Sequence, residues 1–244
     1  MAQINLQNTV VWITGASSGI GEALARSCAE YGATLYISAR SVEKLQSLQQ
    51  ELSSLTTVTV VECDVTSEDS VLNAKRIIFE TTSSIDILIN NAGIGRFGFF
   101  SDLTSQDFDD VFATNTKGQF MCTQAVLPSM IQHNKGTIVN ILSVAAVKTF
   151  TLSSIYGASK AASLLMSRSL RQEMRERKLA IRVIDILPGA TKTPIWGDEN
   201  LQKLGEGMMD ASSVAEATIQ AIALSIQDKM MIEEIVIRPQ GGDV

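Results

Sequence analysis

The sequence predicts an α/β fold, a parallel sheet wrapped by helices on both faces. Three observations predict it. Short runs rich in Val and Ile, apolar at almost every position, alternate with longer stretches of helical character; strands apolar on both faces belong in covered parallel sheets. No Pro-rich or Gly/Ser-rich linker, internal repeat or low-complexity stretch divides this alternation. The composition is that of a globular chain of 244 residues, 45% hydrophobic and 19% charged, which excludes disorder and fibrous repeats. A chain this long buries roughly 70–75% of its unfolded surface, so one self-sufficient domain over residues 1–244 is expected.

The elements follow in order. Residues 10–14 read as the first strand. Thr14-Gly15-Ala16-Ser17-Ser18-Gly19-Ile20-Gly21 comes next and opens a helix over 19–31. Glycines between a strand and a helix suit a phosphate. Gly15 permits the tight turn, Gly19 lets main chain approach a pyrophosphate, and Gly21 lets helix and strand pack closely. The helix N-terminus adds free N–H groups and the positive end of its dipole. The second strand, 34–38, runs into Ala39-Arg40-Ser41. A site for a free ribose 2′-hydroxyl would place Asp or Glu here. Arg40 stands there instead, and a guanidinium forks onto a 2′-phosphate. The expected cofactor is therefore NADP(H) rather than NAD(H). A helix over 41–55, a strand over 58–63, a helix over 67–80 and a strand over 85–89 complete the first half.

The second half reads as a helix over 105–131, a strand over 137–142, a helix over 154–177, a strand over 181–187, a helix over 212–226 and a strand over 234–237. Two connections, 90–104 and 188–210, are longer than the alternation needs. Both leave C-terminal ends of strands, where open α/β sheets bind ligands. The helix over 154–177 begins Ser154-Ile155-Tyr156-Gly157-Ala158-Ser159-Lys160, which sets Tyr156 and Lys160 one turn apart on one face. An ammonium beside a phenol favours the phenolate. The pair is thus expected to lower the Tyr156 pKa from its ordinary ~10 and to act as a general acid/base. Ser143, at the end of the preceding strand, offers a hydroxyl to the reacting oxygen of a substrate.

Charge and residue counts exclude other classes. The net charge is −6 at pH 7 and no basic run appears, so no nucleic-acid partner is expected. The single histidine, His133, excludes a multi-histidine metal site, and no metal is expected. No apolar span reaches the ~18 residues of a membrane helix. The first Lys or Arg is Arg26, so no secretory signal is expected. Cys28, Cys63 and Cys122 are odd in number and scattered, as reduced thiols of a cytoplasmic protein are. A methyltransferase also carries a glycine loop after its first strand, but Tyr156, Lys160 and Arg40 have no role in one. A non-catalytic NADP(H)-binding regulator would have no use for Ser143, Tyr156 and Lys160 together.

With these landmarks in register, the chain resembles a short-chain dehydrogenase/reductase of the single-domain kind, from about residue 7 to the C-terminus. The landmarks are Thr14–Gly21, Asp64, Asn90-Asn91-Ala92-Gly93, Asn115, Ser143, Tyr156 with Lys160, and Pro188-Gly189 with Thr191 and Thr193. The resemblance implies a Rossmann-like doubly wound sheet of seven parallel strands in the order 3-2-1-4-5-6-7. It implies hydride transfer between NADP(H) and a small-molecule carbonyl or alcohol, and a homo-oligomer, dimer or tetramer, built on the helices over 105–131 and 154–177. Tyr156 would be the catalytic acid/base. Lys160 would lower its pKa and hold the nicotinamide ribose. Ser143 would orient the substrate oxygen, and Asn115 would support a proton path through a water at a helix irregularity. Asp64 and Val65 would contact the adenine, and Asn91, Ala92 and Gly93 would line its ribose. Ser17 would help Arg40 hold a 2′-phosphate, and Ile20 would lie near the pyrophosphate. Ser18 occupies the place where some NADP-preferring relatives carry Lys or Arg. Pro188, Gly189, Thr191 and Thr193 would lie near the nicotinamide.

Substrate selection is expected in 94–104, 144–153 and 188–210. There Phe97, Phe99, Phe100, Val147, Phe150, Leu152, Ile195, Trp196, Met208 and Met209 point to an apolar or aromatic ketone or aldehyde undergoing reduction. Gly197, Gly205 and Gly207 would let the last segment move as a lid.

Overall fold

The computed structural model describes residues 4–227 and 230–242. Strands β1 (Val10–Thr14), β2 (Thr34–Ala39), β3 (Val58–Glu62), β4 (Ile87–Asn90), β5 (Gly136–Ile141), β6 (Ile181–Pro188) and β7 (Glu234–Ile237) form one parallel sheet. Their order is β3-β2-β1-β4-β5-β6-β7, as the resemblance implies. β1 pairs with both β2 and β4. The strand order reverses there, and a crevice opens at the C-terminal ends of the two strands.

Alternation along β1 explains why both faces are covered. Val11 and Ile13 are buried in one apolar layer with Leu24 and Cys28 of α1 (Gly19–Glu30), Leu45 and Leu48 of α2 (Val42–Leu52), and Val214 and Ile219 of α8 (Ala211–Gln227). Trp12 faces the other layer, with Val71 and Ile78 of α3 (Glu68–Thr81) and Met121 and Val126 of α5 (Gly118–His133). Period-two side-chain direction thus divides one strand between two cores. Cys28, Cys63 and Cys122 are buried and unbridged. Among the described residues no helix is long and apolar enough to cross a membrane.

Two expected elements differ. The helix expected over 105–131 is interrupted. It consists of α4 (Ser105–Phe112), a π-helical turn over Ala113–Lys117, and α5, with the Gly118 N–H bonded to the Ala113 carbonyl five residues back. Gly118 lies against Val65, where a β-carbon would stand 2.8 Å from Cγ2. The extra residue of the π-turn does not alter composition, so periodicity does not announce it. The connection 188–210 holds α7 (Gly197–Leu204), with Asp198 and Glu199 in its first turn and Lys203 in its last. Those charges suit the helix dipole, but flanking glycines disguise so short a helix as a loop.

Candidate active site

β1 delivers Thr14 to the crevice. The Thr14 hydroxyl accepts from the main-chain N–H groups of Asn91 (3.1 Å) and Ala92 (3.2 Å). Asn91 Nδ2 in turn donates to the carbonyls of Thr14 (3.1 Å) and Gly15 (3.0 Å). The glycine loop is therefore tied to the segment after β4. Gly15 and Gly19 have φ of +66° and +58°, a region that favours glycine. A β-carbon at Gly21 would stand 2.3 Å from Asn91 Nδ2 and 2.4 Å from the Gly15 carbonyl oxygen, so Gly21 is the packing contact expected of it. Ser18 precedes α1 without a side-chain cap, whereas Ser67 and Thr104 close α3 and α4 with their own hydroxyls. The first N–H groups of α1 are left to a ligand.

β5 delivers Ser143, and α6 (Ser154–Glu176) delivers Tyr156 and Lys160. Ser143 Oγ accepts from the Ala145 N–H (3.1 Å). Ser143 lines the same cavity as the Tyr156 phenol, whose pKa its hydroxyl lowers. Lys160 Nζ lies 5.8 Å from the Tyr156 ring centroid and donates to the Ile141 carbonyl (3.0 Å). Burial holds the Tyr156 phenol above its ordinary pKa, partly offset by the Ser143 hydroxyl. Burial also pushes the Lys160 ammonium down to about 8. The expected lowering of the Tyr156 pKa by Lys160 is therefore not what the isolated chain shows. Lys160 is buried and Tyr156 half-buried, the ammonium is turned to a carbonyl, and desolvation is the larger cause of both shifts.

Asn115 stands in the π-turn. Its Oδ1 accepts from the Ile94 N–H (2.8 Å), and its Nδ2 donates to the Ile94 carbonyl (3.0 Å) and to Ser159 Oγ (3.0 Å). A β-carbon at Gly93 would stand 3.3 Å from Asn115 Oδ1 and 3.4 Å from Lys160 Nζ. Gly93, Asn115 and Lys160 thus converge.

A cavity of about 800 Å³ gathers these parts. Every expected catalytic and cofactor-binding residue lines it except Gly21 and Asn115. Three lining side chains are cationic (Arg40, Arg96, Lys160) and one, Asp64, is a carboxylate, in a chain of net charge −6. The Asp64 carboxylate is turned to the N–H (2.9 Å) and hydroxyl (2.8 Å) of Thr66. Uncapped helix, glycine main chain and positive lining fit a dinucleotide carrying several phosphates.

Across the cavity, the Phe97 ring tilts against Tyr156 (centroids 5.5 Å, 57°) and stacks on Trp196 (5.6 Å, 6°). Trp196 Nε1 donates to the Thr191 carbonyl (3.0 Å), and the Gly98 N–H donates to the Leu152 carbonyl (3.0 Å). The three segments expected to select a substrate therefore meet beside the phenol. Phe97, Phe150, Leu152, Ile195 and Trp196 line the cavity. The other expected residues do not: Phe99, Phe100 and Val147 face solvent, Met208 is buried and Met209 packs on the core. Side-chain direction on an irregular backbone follows no period that a sequence displays. Arg96, Asn200 and Leu204 also line the cavity. No motif marks them; Asn200 and Leu204 belong to α7, and Arg96 is ion-paired with Asp107 (3.3 Å).

The family model for short chain dehydrogenase matches residues 9–204. Sepiapterin reductase from Chlorobaculum tepidum is 37% identical over 247 residues, covering 96% of this chain and 98% of that protein. The solved alcohol dehydrogenase of the archaeon Thermococcus sibiricus, complexed with 5-hydroxy-NADP, is similar at a TM-score of 0.87 and 27% identity, over 95% of this chain and 97% of that one. A short chain dehydrogenase/reductase from Burkholderia phymatum in complex with NAD is similar at a TM-score of 0.87 and 25% identity, over 96% of this chain and 90% of that one. From β1 through α7, and in the order of its strands, the chain belongs to the short-chain dehydrogenase family of oxidoreductases.

Proposed function

We propose that the protein reduces an apolar or aromatic ketone or aldehyde with NADPH, by an acid/base mechanism centred on Tyr156. The observation that carries this reading is that Ser143, Tyr156 and Lys160 line one cavity, with Lys160 one turn beyond Tyr156 on α6. The glycine loop from Gly15 to Ile20 would hold the pyrophosphate. Asp64 and Val65 would border the adenine, and Asn91 to Gly93 its ribose. Lys160 would hold the nicotinamide ribose, and Pro188, Gly189, Thr191 and Thr193 would flank the nicotinamide. The bound nucleotide supplies the hydride in reduction and takes one up in oxidation. Ser143 and Tyr156 donate hydrogen bonds to the substrate oxygen as it gains negative charge, and Tyr156 passes it a proton.

Arg40 supports NADP(H). It is exposed at the cavity edge and joins no ion pair among the described residues, so its guanidinium and the Ser17 hydroxyl are available to a 2′-phosphate. One neighbour binds an NADP analogue and another NAD, which leaves Arg40 as the deciding residue. The ring pair of Phe97 and Trp196 supports an aromatic substrate, in keeping with a relative named for a pterin. Exposed Phe108, Phe120 and Leu165, on α4, α5 and α6, support assembly into a homo-oligomer, and three unbridged thiols support a reducing compartment such as the cytoplasm. A panel of aromatic and aliphatic carbonyls and alcohols, followed at 340 nm with each nicotinamide nucleotide, tests the reading. Turnover with higher kcat/KM for NADPH and for ring-bearing carbonyls is expected. Tight NADPH binding without turnover on any of them would replace it by the regulator.

A further inference from the structure

The π-turn is what presents Asn115 to Gly93 and Lys160, and something must hold it. An α-helix that widens by one residue gives up regular hydrogen bonds and persists where surrounding contacts stabilise it. Three side-chain bonds join the turn to α6. Asn115 Nδ2 donates to Ser159 Oγ (3.0 Å), Thr116 Oγ1 donates to the Ser159 carbonyl (3.0 Å), and Ser163 Oγ donates to the Asn115 main-chain carbonyl (3.0 Å). Ser163 is fully buried and its hydroxyl donates to Asn115. Ser159, Ser163 and Ser167 recur at every fourth position along α6 and are all buried. Three hydroxyls on a buried helix stripe are costly unless each is used. Ser159 and Ser163 hold the π-turn. Ser167 bonds elsewhere, to Asp185 and Asn140.

We propose that Ser163 is a positioning residue for the reaction: its hydroxyl latches the Asn115 carbonyl and so keeps the Asn115 amide seated between Ile94 and Lys160. The inference rests on the proposed oxidoreductase reading. Without the latch the buried carbonyl loses this donor. The nearest remedy is to tighten the turn towards an ordinary helix, and that rotates Asn115. Its amide grips both the N–H and the carbonyl of Ile94, where the segment 94–104 begins. It also faces the same point above Gly93 as Lys160 Nζ. The groups facing Lys160 are the Tyr156 phenol on its own helix, the Ile141 carbonyl from β5 and the Asn115 amide from the turn; among the described residues it has no carboxylate partner. Asn115 Oδ1 is thus a polar neighbour whose movement the ammonium would register.

The test compares Ser163→Ala, Ser163→Cys and Ser167→Ala with the parent enzyme. Ser163→Ala is expected to lower kcat about tenfold, the rate equivalent of one buried hydrogen bond, with KM for NADPH within about twofold. The limb of its pH–rate profile assigned to Lys160 should move to lower pH. Ser163→Cys, of similar shape with a weak donor, should fall between. Ser167→Ala loses an equally buried hydroxyl and should lower Tm while leaving kcat and the pH limb in place. A readout independent of turnover is amide exchange at Ile94, whose N–H is held by Asn115; Ser163→Ala should speed it and Ser167→Ala should not. Equal effects of the two alanine variants, or Ile94 exchange unchanged in Ser163→Ala, would overturn the latch. A parent enzyme inactive on every carbonyl would overturn the oxidoreductase reading, and the exchange experiment would still decide the latch.

Discussion

On the β1–β3 side of the crevice, the groups that face a ligand are largely main chain and short side chains, Gly15, Ser17, Ser18, Gly19 and Asp64, with Arg40 at the edge. On the opposite side they are rings and aliphatic chains carried by irregular backbone: Phe97, Phe150, Leu152, Ile195 and Trp196. The first side is held by bonds that leave it little freedom, such as Asn91 Nδ2 on the carbonyls of Thr14 and Gly15. The second is held by one ring stack and single hydrogen bonds between segments, Gly98 to Leu152 and Trp196 to Thr191. The difference teaches a division of labour. A nucleotide is constant and is met by backbone that cannot adjust. A substrate differs from enzyme to enzyme and is met by side chains that can be exchanged. Tyr156 and Ser143 sit at the seam.

The comparison is broken most directly at that seam. Tyr156→Phe removes the proton donor and leaves both walls intact; kcat should fall by roughly 10²–10⁴, while NADPH affinity measured by fluorescence stays within about twofold. A loss of NADPH binding of the same size would merge the two sides.

Lys160 offers a second test, through stability. Its folded pKa of about 8 lies below the ordinary 10.5, so between those pH values the unfolded chain holds a proton that the folded chain has released. Stability contributed at this site therefore rises with pH across that window, and the burial cost is present in full below it. Relative to Lys160→Met, the apo protein should gain up to about 3 kcal/mol between pH 8 and 10.5 in denaturant titrations. A flat difference would mean that the ammonium is not desolvated.

Smaller effects separate the walls. Arg40→Ala should raise KM for NADPH about ten- to hundredfold, the loss of charge-assisted bonds to one phosphate, with KM for NADH hardly changed. Phe97→Ala should weaken an aromatic substrate by about 0.5–1.5 kcal/mol, the worth of a ring pair, and leave NADPH binding as it was. Crossed outcomes, with Phe97 altering the nucleotide or Arg40 the carbonyl substrate, would show that the two sides are not independent.

How much of this was legible follows the same division. The sheet could be read because most of its strands are apolar at almost every position. The glycine loop could be read because close approach of backbone to backbone restricts residue type: at Gly21 a methyl group would meet Asn91 and Gly15. The acid/base set could be read from spacing, since Tyr156 and Lys160 need the same helix face. What escaped is what does not restrict residue type locally. The π-turn at Ala113–Lys117 depends on contacts from α6; no periodicity shows it, and only the family resemblance implies a helix irregularity at Asn115. Phe99 and Phe100 have the composition of a pocket wall but lie in solvent, whereas Phe97, two positions earlier, reaches Tyr156. The pKa of Tyr156 escaped for a related reason: adjacency in sequence gives no measure of how dry the site is.

The sign of the crevice has a kinetic corollary. A protein whose surplus charge is negative repels anions at long range, yet this opening presents Arg40, Arg96 and Lys160 against a single Asp64. Added electrolyte shortens the reach of both fields, to about 8 Å at physiological ionic strength. The capture rate of NADPH thereby becomes a gauge of which field governs the approach: salt slows capture if the mouth draws the nucleotide in, and quickens it if the surface at large holds it off.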